Sequence, residues 1–278
     1  MIRDLLVPLL RQPSDDAALD TAVALAGAHS AHVAALVTVA SPMPLATEWG
    51  YVPAELNQQA YEFARQEGQA LAARVRQQLA SAAVPCEVRV ADSVLLWPED
   101  TLALHACHSD LCVLGGPDLG QPGSRFALSF KSLLLRSGRP VLVVPAGCAP
   151  RPLGRITLAW TPTPEASRAL HESLPLLAQA EAVNVVVIDP EVGEGAHGEQ
   201  PGADIARHLA RHGLSVRVVA QPRQGRSIGE ALLRFVEEDG SDLLVMGGYG
   251  HSRWREAILG GTTRSVLEGM RTAVLFAH

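Results

Sequence analysis

Short runs that are almost wholly apolar alternate with longer Ala- and Leu-rich stretches along the whole chain. Residues 5–10, 33–39, 87–90, 111–114 and 141–144 read as strands, as do 156–160, 183–188, 216–220, 243–246 and 274–277. Between them, Leu19, Ala22, Val23 and Ala26 form a stripe of helical period, and Ala64, Gly68, Leu71, Ala72, Val75 and Leu79 form a longer one. Ser227 and Glu230 have the capping-box spacing that opens a helix, whose buried face is then Ile228, Ala231, Leu232, Phe235 and Val236. Strands this apolar, alternating with helices, predict mostly parallel sheet covered on both faces.

The pattern occurs twice. Asp110-Leu111-Cys112-Val113-Leu114-Gly115-Gly116 matches Asp242-Leu243-Leu244-Val245-Met246-Gly247-Gly248, and Arg139 to Pro145 matches Thr272 to His278. The copies are offset by about 152 residues near their starts but by 132 at the Asp-Leu runs (242 minus 110). The first copy therefore carries about 20 extra residues, assigned to a Pro-rich stretch over 41–59 that runs into a helix. Linker composition over 146–152 predicts two domains, 1–147 and 153–278. The predicted fold class is α/β, with two tandem, doubly wound, five-stranded, mostly parallel sheets and helices on both faces.

In such sheets ligands bind past the carboxyl ends of strands, where the strand order reverses. The loop after the strand at 243–246 lies in that place. It offers glycines at 247, 248, 250, 260 and 261, hydroxyls at Ser252, Thr262 and Thr263, and cations at Arg253 and Arg255. Glycine allows close backbone approach to an anion, and hydroxyls and guanidinium groups bond phosphate oxygens. A purely structural role, with glycines in tight turns and Thr262 capping a helix, accounts for the same residues.

The spacing of Gly247, Gly250 and Gly260 resembles the G-x2-G-x9-G-(S/T) loop of the universal stress protein family. With the Gly-Gly-Tyr-Gly-His-Ser-Arg and Leu-Gly-Gly-Thr-Thr runs, the chain looks like a tandem member over essentially its whole length. The resemblance implies stress-linked regulation rather than metabolic catalysis and, in one branch of the family, ATP (with Mg²⁺) bound at this loop. Carried over by match, the nucleotide-binding set is Gly247, Gly248, Gly250, His251, Ser252, Arg253, Gly260, Gly261, Thr262 and Thr263, with Thr161 beside them. This chain departs from the pattern in three places, one being Pro162-Thr163-Pro164 in place of a Gly-Ser type turn. Gly261 stands where Ser or Thr follows the last glycine, and Thr161 stands where the ATP-binding branch has an Asp. In the first copy Asp118 takes the place of the second glycine and repels phosphate, so one nucleotide site, in the second half, is the expectation.

Composition narrows the function classes. A net charge of −6 and 4% aromatic residues argue against a general nucleic-acid or anionic-membrane binder. The opening residues do not read as a signal peptide, and no apolar run approaches the roughly 18 to 20 residues of a membrane helix, so a cytoplasmic location is expected. His105, Cys107, His108 and Cys112 cluster without the paired spacing of a structural zinc site, and no metal is expected there. His251 has no evident reacting partner and reads as a surface residue, as do Arg223 and Arg226. With no catalytic motif present, the leading expectation is a non-enzymatic regulatory module, a weak ATPase at best. A slow nucleotide phosphohydrolase and a nucleotide-free scaffold with a protein partner are the alternatives. The repeat and the family resemblance together imply an intramolecular pseudo-dimer with the last strands of the two copies near the join, and leave a homodimer of whole chains open.

Overall fold

The computed structural model describes residues 1–40, 46–47, 50–51, 54–93, 97–118, 125–190, 200–249 and 261–278. In the first half β1 (Asp4–Leu9), α1 (Asp15–His29) and β2 (His32–Ala40) precede two short strands, β3 (Ala46–Thr47) and β4 (Gly50–Tyr51). They are followed by α2 (Ala54–Leu79), β5 (Cys86–Ser93), α3 (Pro98–Ala106), β6 (Leu111–Gly115), α4 (Phe126–Arg136) and β7 (Val141–Val144). The second half runs β8 (Arg155–Ala159), α5 (Pro164–Leu177), β9 (Ala182–Ile188), α6 (Ala203–Arg211), β10 (Val216–Gln221), α7 (Ile228–Asp239), β11 (Leu243–Gly247), α8 (Gly261–Gly269) and β12 (Ala273–Ala277). All ten strands expected from the apolar runs are present.

The two expected sheets are one. Ten strands run in the order β10-β9-β8-β11-β12-β7-β6-β1-β2-β5. Each half is parallel, and its own strands stand in the order third, second, first, fourth, fifth. β12 and β7 meet antiparallel, Val274 opposite Val143, Leu275 opposite Leu142 and Phe276 opposite Val141. The terminal runs are offset by 133 residues (272 minus 139), so Val141 corresponds to Val274, Leu142 to Leu275 and Val143 to Phe276, and a local twofold axis passes through the Leu142–Leu275 pair. The last strand of each copy would be an unpaired apolar edge alone, and each covers the other.

The helices divide by face. Ala18, Leu19, Ala22, Val75, Leu170, Leu177 and Leu209, from α1, α2, α5 and α6, cover one side of the sheet in a single apolar cluster. Leu102, Phe130, Leu133, Val236, Val266 and Leu267, from α3, α4, α7 and α8, cover the other. The repeated Asp also finds its reason. The Asp110 carboxylate accepts from the backbone N–H groups of Arg3 (2.7 Å) and Asp4 (3.1 Å), and the Asp242 carboxylate accepts from that of Arg155 (2.9 Å). Each therefore locks the first strand of its half to the fourth, on either side of the point where strand order reverses.

The capping box at α7 forms as its spacing predicts: the Ser227 hydroxyl accepts from the Glu230 N–H, and the Glu230 carboxylate accepts from the Ser227 N–H. The inserted stretch of the first half contains β3, β4 and the start of α2, and the rest of 41–53 lies outside the described residues. α2 is 26 residues long against 9 for α6. It packs closely at Gly68, where a Cβ would fall 2.6 Å from a methyl of Val39. Cys112 is fully buried in β6, and burial pushes its thiol up to about 12, the behaviour of a core residue. Among the described residues no helix is long and apolar enough to cross a membrane.

Candidate functional site

The strand order places a crevice between β8 and β11 in the second half and between β1 and β6 in the first. Because the halves are antiparallel at their seam, these crevices open at opposite ends of the sheet.

In the second half Thr161 is exposed just past β8, and its carbonyl accepts from the Thr163 N–H at 2.8 Å. Thr163 then caps α5, its hydroxyl accepting from the Ala166 N–H at 3.3 Å, with Pro164 fitting the first helical position. This turn brings the first residues of α5 against Gly247 at the end of β11. A Cβ on Gly247 would fall 2.7 Å from the Ala166 nitrogen and 2.7 Å from the Glu165 carbonyl carbon. Gly247 is glycine because α5 begins there. The sequence did not mark Glu165, yet it belongs to this place: its Oε2 is buried and, among the described residues, has no hydrogen-bond partner. Its only signal was its position after Thr163-Pro164, a helix start.

Gly248 is held from three sides. Its N–H donates to the Ala277 carbonyl (2.9 Å), its carbonyl lies 3.0 Å from His278 Nδ1, and a Cβ would fall 2.7 Å from a methyl of Leu134 in α4. Tyr249 adopts a left-handed backbone, φ 60°, and its ring stacks on Phe130 of α4 at 6.3 Å. Phe130 in turn meets Phe276 edge-on at 5.2 Å, and burial pushes the Tyr249 hydroxyl up to about 12. The root of the second half's loop is thus built partly on the first half.

Of the sequence-derived set, Thr161, Gly247 and Gly248 come together at the switch point. Gly261, Thr262 and Thr263 open α8, which packs against α7 on one face of the sheet; Gly261 is exposed and Thr263 buried. Gly250, His251, Ser252, Arg253, Arg255 and Gly260 lie outside the described residues. Arg223 is paired with Asp189 through its guanidinium and its backbone N–H (2.9 Å), which fastens the ends of β9 and β10.

The first-half crevice is filled by its own chain. Ser14 Oγ donates to the Gly116 carbonyl at 2.7 Å, and Gln12 Nε2 lies 3.4 Å from the Gly115 carbonyl. A Cβ on Gly115 would fall 2.6 Å from Ser14 Oγ. Asp15 is buried here and accepts from the Arg11 N–H (2.7 Å) and the Gln12 N–H (3.3 Å). Burial, opposed by these backbone bonds, raises its carboxyl to about 6.

A family model described as the universal stress protein family matches residues 153–278. A universal stress protein from Archaeoglobus fulgidus has a TM-score of 0.72 at 14% identity, the alignment covering 99% of this chain and 95% of that one. A functionally unknown protein from Pseudomonas aeruginosa has a TM-score of 0.57 at 17% identity, covering 99% of this chain and 92% of the other. A universal stress protein of Synechocystis is 46% identical over 46 residues, 16% of the length of each protein. Residues 153–278 thus match the model of the universal stress protein family, and the two halves of the chain repeat one α/β fold about a shared sheet.

Proposed function

We propose that the chain is a regulatory binding protein whose second half takes up one adenine nucleotide, ATP with Mg²⁺ in first place. In this reading residues 1–147 and 153–278 act as two units and only the second is loaded. The observation that carries it is the convergence, where strand order reverses, of exposed Thr161, Gly247 and a Glu165 Oε2 that has no partner among the described residues. A buried acceptor without a donor costs free energy that a ligand hydroxyl or amino group recovers, and a nucleoside offers both. A carboxylate repels phosphate. The phosphates are therefore assigned to the side of Ser252, Arg253, Thr262 and Thr263, and Glu165 takes the acceptor role that Thr161 cannot fill as a carboxylate would.

Thermal midpoints with and without excess ATP and Mg²⁺ test this. A ligand bound only by the folded state stabilises it by about 2.7 kcal/mol at a hundredfold excess over its dissociation constant. The expected result is an upward shift that is lost in Gly250→Asp and reduced in Glu165→Gln. Phosphate release by the wild type, abolished in a Gly260 variant, would move the reading to a slow phosphohydrolase.

The scaffold reading rests on an observation of its own. Gly247 and Gly248 are required by α5 and Leu134 without any ligand. No thermal shift and no nucleotide released on denaturation would put that reading first, with a protein partner or a second copy as the ligand.

A further inference from the structure

Arg136 is the last residue of α4 and Gly269 the last of α8, the same 133-residue offset (269 minus 136) that relates the terminal strands. Burial follows this correspondence: Leu133 and Val266, Leu134 and Leu267, and Ser137 and Met270 are buried in pairs. α3 begins at Pro98 and α7 at Ile228, so their third residues are Asp100 and Glu230, and buried Leu102 and Ala106 match buried Leu232 and Val236. In the first half the Arg136 guanidinium pairs with the Asp100 carboxylate and ties the end of α4 to the first turn of α3. The second half keeps the acid and replaces the arginine by glycine. Glu230 and Gly269 there line a cavity of about 310 Å³. We propose that this cavity binds an alkylguanidinium group of the arginine type, its stem on the apolar lining and its head against Glu230 and Glu237.

Helix packing gives the cavity its place. A Cβ on Gly269 would fall 2.7 Å from a methyl of Leu233, and one on Gly229 would fall 2.8 Å from Ser265 Cβ, so α7 and α8 run parallel in close contact. α8 stops level with Leu233, whereas α7 continues to Asp239. Past the end of α8 the apolar lining is Leu233, Val236, Leu244 and Val274. Leu244 and Val274 are the second residues of β11 and β12, so the cavity lies at the opposite end of these strands from the crevice beside Gly247. Ligand cavities span roughly 300–1,000 Å³, and one at the lower bound suits a group of side-chain size.

Charge selects the ligand. Glu230 accepts from the Ser227 N–H and hydroxyl through Oε2 alone, both at 2.8 Å, which leaves Oε1 for another donor. Glu237 lies in the part of α7 beyond Val236, which has no counterpart in α3, and adds a second carboxylate to the lining. Two arginines line the cavity as well. Arg234 is held at 2.6 Å by Glu238, and Arg271 lies 3.7 Å from Glu237 with both side chains strongly exposed. With Arg234 balanced by Glu238, two carboxylates face one guanidinium. The carbonyl end of α8 adds partial negative charge at Gly269. A cation with an apolar stem is favoured, and the Asp100–Arg136 pair shows which cation this corner of the fold accommodates. A planar guanidinium can bond a carboxylate through two N–H groups at once, which an ammonium does not match.

The test is an amide-resolved NMR titration of the full chain with n-butylguanidinium chloride at constant ionic strength, with n-butylammonium chloride in parallel. Saturable shifts are expected at the residues lining the cavity, with weaker binding of the ammonium. Gly269→Arg supplies the side chain from within the protein, and the Leu233 methyl that it meets is the end of a side chain and can yield. The shifts should then disappear while the folded spectrum remains. Combined Glu230→Gln and Glu237→Gln keeps an acceptor for the capping box and should weaken binding at least about threefold, the scale of exposed ion pairs. A blocked tripeptide with a central arginine separates the sources: tighter binding than n-butylguanidinium assigns the group to a polypeptide, weaker binding to a free guanidine. No saturable shift in the wild type overturns the proposal. So does unchanged affinity in folded Gly269→Arg or in the double glutamine variant, and equal affinity for the ammonium overturns the guanidinium assignment.

Discussion

Leu142 of β7 stands opposite Leu275 of β12 across the one antiparallel seam of a ten-stranded sheet, and both side chains are fully buried. The seam is where two parallel sheets become one, so the halves share a core instead of touching through exposed surfaces. Truncation there should act on both halves at once. Leu275→Ala and Leu142→Ala should each cost about 2–5 kcal/mol. The double variant should cost less than their sum, because the partners share one cavity. Urea unfolding followed by far-ultraviolet circular dichroism checks this, and a single transition is expected for every variant. Two separated transitions would mean that the seam does not couple the halves.

The glycines singled out by the sequence separate into two kinds. A Cβ on Gly247 meets backbone of α5 at 2.7 Å, whereas one on Gly261 has nothing within 4 Å among the described residues. Backbone cannot move aside as a side-chain end can. Gly247→Ala should therefore destabilise by roughly 1–3 kcal/mol with or without nucleotide. Gly261→Ala should be neutral or stabilise by up to about 1 kcal/mol, since it restricts the unfolded chain at the start of a helix. If the nucleotide phosphates approach α8, the same Gly261→Ala protein should bind ATP more weakly despite its stability. Paired denaturation and nucleotide titration of the two variants separate packing from ligand contact.

The strands, the repeat and the capping box were legible because each is written locally, in runs of apolar residues or in a three-residue spacing. That the terminal strands meet was legible from the repeat only together with the family resemblance. That they fuse the sheets follows from β7 and β12 both being apolar edges, which no single copy reveals. The site was legible only in part. Gly247 marked the switch point, but the reason for its small size, the first turn of α5, depends on Thr163 and Pro164 far upstream. Tyr249 and Gly248 take their roles from Phe130 and Leu134, contacts set by the twofold arrangement rather than by local pattern.

The α7 capping box gives a smaller, cleaner test. Ser227 and Glu230 satisfy each other's backbone donors at an exposed helix start. Ser227→Ala should cost about 1 kcal/mol, and Ser227→Asp, which restores the acceptor, should recover most of it. Ser227 Oγ also lies 3.4 Å from Ser265 Oγ of α8, so hydrogen exchange should rise in the first turn of both helices if the cap holds them together. An unchanged exchange pattern in α8 would confine the cap to α7.

Asp15 offers a prediction whose sign depends on which force wins at the first crevice. Backbone N–H groups of Arg11 and Gln12 favour its carboxylate, and burial disfavours it. The folded carboxyl, raised to about 6 from 3.8, binds a proton that the unfolded chain has already released between those values. Stability linked to this group is therefore full below pH 4 and is lost as pH rises through 6. The loss amounts to about 3 kcal/mol at most. Asp15→Asn removes the charge and keeps an acceptor for the two N–H groups. It should be more stable than the wild type at pH 8, with the gap closing as pH falls from 6 to 4. Urea midpoints at half-unit steps over that range measure the gap directly. A gap that widens on acidification would mean that the backbone donors outweigh burial and hold Asp15 as a structural anion.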